Sequence, residues 1–230
     1  MAELPQELFA NPIYHALITK QSHLGVSVGA ACRYLADVAP FAAVVEPTKT
    51  ALQQLHSLLT EGESVWVMEE DCPSIAELLF EERLECLQMV LPAEVLPPAP
   101  AMEIVYLSDA DAPEMVALTT LAFPGFFRRR TCEMGSYYGI RSEGELVAMG
   151  GERLMLDGYS EISGVCTHPA HRGKGYAANI IWHLVRDHQR AGIVSWLHVS
   201  SMNHPAIELY RRMGFTVAHH VVLHRIRRKN

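Results

Sequence analysis

The spacing of apolar and polar residues changes several times along the chain, and each change predicts an element. Short apolar runs at 41–45 and 65–68 read as strands on either side of a helix from about 48 to 59, and 84–90 reads as a further strand. The stretch 12–37 fits the helical and strand periods equally and is assigned to neither. From 103 the pattern is more regular. A strand at 103–107 precedes a helix at 111–121, with Asp111 in the N-cap position and Pro113 in the first turn. Strands at 137–141 and 146–153 are joined through Ser142, Glu143, Gly144 and Glu145, and the meander continues into 161–167 after the Asp157, Gly158 turn.

Ala177, Ile180, Ile181, Leu184 and Val185 recur at i, i+3, i+4, i+7 and i+8, which predicts an amphipathic helix ending near Gly192 with its apolar stripe on a sheet. A strand at 193–199, a helix at 204–213 closed by Gly214, and one or two strands over 215–226 complete the pattern. The run Leu-Pro-Ala-Glu-Val-Leu-Pro-Pro-Ala-Pro-Ala, at 91–101, removes backbone donors and favours extended chain. It divides the sequence into an N-terminal α/β domain (1–91), a proline-rich linker (92–101) and a second domain (102–230).

Composition narrows the class. In 230 residues, 49% hydrophobic and 20% charged positions indicate a real core without extensive disorder. The net charge of -7 argues against a general nucleic-acid binder; the basic stretches at 128–130 and 225–229 read as solvated rims. No segment has the roughly 18 apolar residues of a membrane span, and no leader pattern opens the chain, so a cytoplasmic protein is expected. Cys32, Cys72, Cys86, Cys132 and Cys166 are odd in number and lack any Cys-x-x-Cys pair, which fits reduced thiols. The close histidine pairs, His168 with His171 and His220 with His224, have no third ligand at zinc-site spacing, so no metal is expected.

The chemistry concentrates where a strand stops at His168-Pro169 and a helix restarts through Arg172, Gly173, Lys174, Gly175, Tyr176 and Ala177. Unpaired N–H groups at a helix start, the helix dipole and two glycines without Cβ atoms make an anion cradle. The Arg-x-x-Gly-x-Ala spacing is neither the Walker pattern nor the dinucleotide fingerprint. It resembles the coenzyme A loop of the GNAT superfamily of N-acyltransferases. The segment from Asn203 through Tyr210 to Gly214 and Phe215 is similar to that family's next motif, and the order of elements after 102 matches its fold.

The resemblance implies an α+β fold of the three-layer GNAT type: a mixed, mostly antiparallel central sheet flanked by helices. The smaller N-terminal α/β domain is compatible with a degenerate copy of that fold. It implies acetyl-CoA or another acyl-CoA as co-substrate, with Arg172, Gly173, Lys174, Gly175, Tyr176 and Ala177 at its pyrophosphate. Backbone groups of Val165, Cys166 and Thr167 would pair with its pantetheine amides, and Asn203 would bond the pantetheine arm. Tyr210 would protonate the departing thiolate. The run from Glu161 to Arg172 is closest to the glycine N-acyltransferase-like branch, which implies Glu161 as general base. Each residue also has a plainer reading: Asn203 as helix N-cap, Tyr210 as packing, Glu161 as a strand-edge carboxylate, and Cys166 as a buried thiol rather than an acyl carrier. His171 is placed at the cofactor mouth, and Arg211 or Arg212 either meets the adenosine phosphate or faces solvent.

The activity so implied is N-acetyl transfer to a primary amine of a small molecule or amino acid by direct attack in a ternary complex. An acyl-CoA-binding sensor without turnover and an enzyme acting on protein or peptide amines are the alternatives; a nucleotide site is a third. Neither nucleic acid nor membrane is an expected partner. Acceptor specificity is expected from the loop around 123–130 and from the N-terminal half, for which a share of the acceptor pocket, a helper role and a homodimer surface are all open.

Overall fold

The computed structural model describes residues 5–98 and 101–229. Its strands are β1 (Gly25–Val28), β2 (Ala31–Tyr34), β3 (Phe41–Val44), β4 (Ser64–Met68), β5 (Leu78–Val90), β6 (Val105–Leu107), β7 (Tyr137–Ser142), β8 (Glu145–Leu156), β9 (Tyr159–Thr167), β10 (Val194–Ser200) and β11 (Thr216–Arg228). The helices are α1 (Gln6–Phe9), α2 (Pro12–Ile18), α3 (Lys49–Leu58), α4 (Ala112–Ala122), α5 (Tyr176–Arg190) and α6 (His204–Arg212). All eleven strands join one curled sheet in the order β1-β2-β3-β4-β11-β5-β10-β9-β8-β7-β6. The neighbours β3–β4 and β9–β10 are parallel and the others antiparallel, so the sheet is mixed and mostly antiparallel, with helices packed on it. β5, which precedes the proline-rich segment, lies mid-sheet between β11 and β10.

The ambiguous stretch 12–37 holds a helix and a hairpin. Asn11 caps α2 by accepting from the Tyr14 N–H at 3.2 Å, with Pro12 in the first turn, and Gly29 at φ 57° lets β1 turn back into β2. β5 starts six residues before its apolar run because its polar half is held across the sheet by charge. Glu81 pairs with Arg227 at 2.6 Å and with Arg225 at 3.2 Å. Asp111 departs from its expected role as side-chain cap of α4: its carboxylate accepts from Ser108 N–H and hydroxyl, one turn earlier, and pairs with Arg141.

On α5 the apolar stripe buries Ile180, Ile181, Leu184 and Val185 against the sheet, worth about 2 kcal/mol for each side chain. A polar pin reinforces it. His188, buried on α5, bonds Glu152 of β8 at 2.9 Å and Ser195 of β10 at 2.8 Å, while Glu152 also accepts from Ser160 of β9 and from the Ser136 N–H. Serine, histidine and glutamate are arranged as in a hydrolase triad, yet all three are buried and none lines either of the two cavities described below. Burial would raise the Glu152 carboxyl, but the bonds from His188, Ser136 and Ser160 prevail and hold it at about 2. Replacing His188 by Leu removes a bond to a buried carboxylate, and urea denaturation should show a loss of about 2 kcal/mol.

Candidate functional site

β9 and β10 run side by side only from Val194↔Tyr159 to Trp196↔Glu161. Beyond that pair they part: β9 continues to Thr167 against β8, and β10 continues to Ser200 against β5. The facing edge of β9 from 162 to 167 is therefore not paired with β10. A bulge at Gly164, φ 65°, lies in this free stretch. A cavity of about 850 Å³ opens in the fork, lined by Ile162 through Thr167, His198 through Ser200, and the start of α6.

At one end the cavity reaches His171, Arg172, Gly173, Lys174, Gly175, Tyr176 and Ala177. Gly173 and Gly175 sit at φ 79° and 77°, and a Cβ on Gly173 would have no atom within 4 Å. Gly175 is the N-cap of α5 and offers no side chain to its first turn, so the leading N–H groups of that helix are free. The Nδ1 of His171 is buried without a partner. Open glycines, free amides and an unsatisfied ring nitrogen at one cavity mouth fit a phosphate-bearing ligand of the coenzyme A type.

Val165, Cys166 and Thr167 lie on the unpaired edge, so their position suits backbone pairing with an extended ligand. The Cys166 thiol is buried and pushed up to about 12, chiefly by desolvation, so it carries no thiolate. Asn203 caps α6 through Ala206 N–H at 3.3 Å, and it also lines the cavity, so its two readings coexist. Tyr210 lines the cavity too. Its hydroxyl has no hydrogen-bond partner among the described residues, and burial raises it to about 12, so it stays protonated at working pH. Arg212 lines the cavity, whereas Arg211 pairs with Glu208 at 3.5 Å on the outer helix face.

Glu161 is placed differently from the expectation for a base. Its carboxylate has no exposure and does not line the cavity; Arg153 and His198 stand between. Arg153 Nε donates to it at 2.9 Å with a second guanidinium contact, His198 Nδ1 lies at 2.8 Å, and the Leu154 N–H adds 3.3 Å. Burial would raise this carboxyl, but the Arg153 and His198 charges lower it to about 2, too weak a base for direct proton abstraction. The other ring nitrogen of His198 meets the Gln88 side-chain amide at 3.2 Å. Neither Arg153 nor His198 was singled out by motif spacing: each lies on a strand with no local signature, and only the sheet register brings them to Glu161.

The opposite end of the cavity is apolar and partly N-terminal in origin. Phe41, Leu84, Phe123, Phe126, Phe127 and Leu223 form a chamber with Tyr137 and Arg153 at its wall. Phe126 stacks on Trp66 with centroids 5.4 Å apart and on Phe41 at 6.0 Å, anchoring the loop after α4 on β3 and β4. Among the described residues no three His, Cys, Asp or Glu side chains are grouped to hold a metal, and no helix is long and apolar enough to cross a membrane.

Residues 103–215 match the family described as Acetyltransferase (GNAT) family. The chain is similar to a solved GNAT-family structure from Novosphingobium aromaticivorans, at 32% identity and TM-score 0.86, covering 96% of this chain and 99% of the other. A GCN5-related N-acetyltransferase from Kribbella flavida, 18% identical, shares the fold with TM-score 0.63 over 100% of this chain and 97% of its own. No curated protein matches the sequence.

Above the ordinary carboxylate range Glu161 stabilises the fold through Arg153 and His198, and that contribution is lost as pH falls toward about 2. Glu161→Gln should therefore cost about 3 kcal/mol at pH 7, with the gap to the native chain closing between about pH 4 and pH 2 in urea titrations. A gap independent of pH would contradict the charged cluster.

Proposed function

The chain belongs to the GNAT acetyltransferase family, and on that premise we propose that it moves an acetyl group from acetyl-CoA to a primary amine of a small molecule or amino acid by direct attack in a ternary complex. One observation carries the reading: a single cavity runs from the glycine cradle, along the unpaired edge of β9 and past Tyr210, into an aromatic chamber. Donor and acceptor can then meet inside one space without a covalent enzyme intermediate. The buried, protonated Cys166 favours the same conclusion.

In this reading Arg172, Gly173, Lys174, Gly175, Tyr176 and Ala177 hold the pyrophosphate, and Val165, Cys166 and Thr167 align the pantetheine arm beside Asn203. When bound, acetyl-CoA supplies the activated acyl carbon that the amine attacks. Tyr210 donates its proton, as a hydrogen bond or outright, to the departing sulfur. The amine reaches the chamber neutral, having lost one proton to water; when its nitrogen bonds the acyl carbon and the C–S bond breaks, a second proton leaves that nitrogen and restores the Tyr210 phenol. Glu161 acts as a positioning residue: it fixes Arg153 and His198 in the wall.

The likeness of the Glu161 to Arg172 run to glycine N-acyltransferases supports a small acceptor, and the apolar lining of the chamber supports it further. Thiol release measured with acetyl-CoA against amino acids, polyamines, aminoglycosides and peptide N-termini tests the assignment. CoA release should rise at least tenfold over hydrolysis with one of the small amines. Tight acetyl-CoA binding with no amine-dependent release would favour a sensor instead, and release with peptides alone would move the acceptor class. Tyr210→Phe should lower kcat at least tenfold and leave the KM for acetyl-CoA within twofold.

A further inference from the structure

A second cavity of about 630 Å³ adjoins the chamber and shares Leu84, Phe126 and Ser200 with it. Its wall carries Arg33, Arg128 and Arg225 against two carboxylates, Glu63 and Glu82. Arg33 is ion-paired with Glu63, and Arg225 lies 3.2 Å from Glu81 and 3.8 Å from Glu82. Arg128 has no carboxylate within ion-pair distance among the described residues; its guanidinium makes one hydrogen bond, to the Phe127 carbonyl at 3.3 Å. The positive charge left over in this cavity therefore sits on Arg128.

The backbone that carries this side chain is held in place. The Arg128 N–H donates to Thr131 Oγ1 at 2.7 Å, and the Thr131 hydroxyl donates to the Val38 carbonyl at 2.6 Å. Two residues earlier, Phe126 is clamped by Phe41 and Trp66 and forms part of the wall common to both cavities. Partial burial, and the neighbouring Arg225 charge, lower the Arg128 pKa, as expected of a cation short of a counter-charge. A carboxylate accepting two parallel guanidinium N–H bonds is the group that best relieves such a site.

Resting on the acetyl-transfer reading above, we propose that Arg128 is a specificity-determining residue that binds a carboxylate of the acceptor. The substrate class is then an amine that also carries an acid, its nitrogen in the reaction cavity, its apolar body on Phe126 and its carboxylate in the second cavity. Neutral amines and polyamines would leave Arg128 unpaired and be used poorly.

The test uses the full chain with glycine, L-phenylalanine, 4-aminobutyrate, 6-aminohexanoate and the carboxamide of each, followed by thiol release. The best acid should exceed its carboxamide at least tenfold in kcat/KM. In Arg128→Gln that ratio should fall to within twofold of unity, with carboxamide turnover, melting temperature and the KM for acetyl-CoA unchanged, and Arg128→Lys should recover part of it. Turnover without acid preference, or a preference that survives Arg128→Gln, overturns the assignment while leaving acetyl transfer intact. A change confined to the KM for acetyl-CoA overturns it as well, by making Arg128 a donor contact. If no amine supports CoA release, the transfer reading fails, and equilibrium binding of the N-acetylated acids beside CoA decides this one. Binding at least tenfold weaker to Arg128→Gln supports the carboxylate site, and equal or absent binding overturns it.

Discussion

The parting of two parallel strands is the constraint on which the rest of this molecule depends. β9 and β10 share hydrogen bonds as far as Glu161 and Trp196 and then diverge. Divergence leaves backbone donors and acceptors of β9 unpaired within the sheet, an arrangement that costs free energy unless a ligand or water satisfies them. Two buried polar clusters lie beside the fork. Glu161, at its apex, ties β9 to Arg153 of β8 and His198 of β10, and Glu152 with His188 and Ser195 ties the same three strands to α5.

These clusters are buried, and buried carboxylates are stable only when every partner is present. Their placement explains why the conspicuous acid of the β9 strand is not on the cavity surface. A carboxylate gripped by an arginine and a histidine is an anchor for its neighbours, and its lowered pKa follows from the same grip. The groups that do face the cavity are backbone amides, glycines without Cβ and a phenol with no partner among the described residues. They are open to a bound molecule because no described part of the chain occupies them.

The second half of the sheet turns a binding fork into a chamber. β3 and β4 bring Phe41 and Trp66 under the loop after α4, so that Phe126 stacks on both and separates two cavities of different character. One is lined by aromatic and aliphatic side chains, the other by arginines and glutamates. The glycine-rich end uses one contiguous strand, turn and helix with α6 beside them; the apolar end is assembled from Phe41, Leu84, the loop after α4, Tyr137, Arg153 and Leu223. The apolar end therefore depends on tertiary packing to a degree that the glycine-rich end does not.

The sequence by itself determined the glycine-rich turn between β9 and α5 and nearly every element after residue 103. Those features are local: a 3.6-residue stripe on α5, glycines at Gly173 and Gly175 that permit left-handed backbone, and an Asn203 to Tyr210 segment on one helix. It also indicated the strands at 41 and 65 and the helix between them, because their apolar runs are short and bounded. It did not reveal the polar half of β5, whose pairing depends on Arg225 and Arg227 nearly 150 residues away, or the hairpin of β1 and β2. Only the tertiary structure decided that Glu161 is buried, that Arg153 and His198 surround it, and that Phe41, Leu84 and Phe126 line the apolar end of the first cavity while Arg128 lines the second. The reason is physical. Burial, ion pairing and cavity walls are set by which strands become neighbours in the sheet, and no periodicity within one segment carries that information.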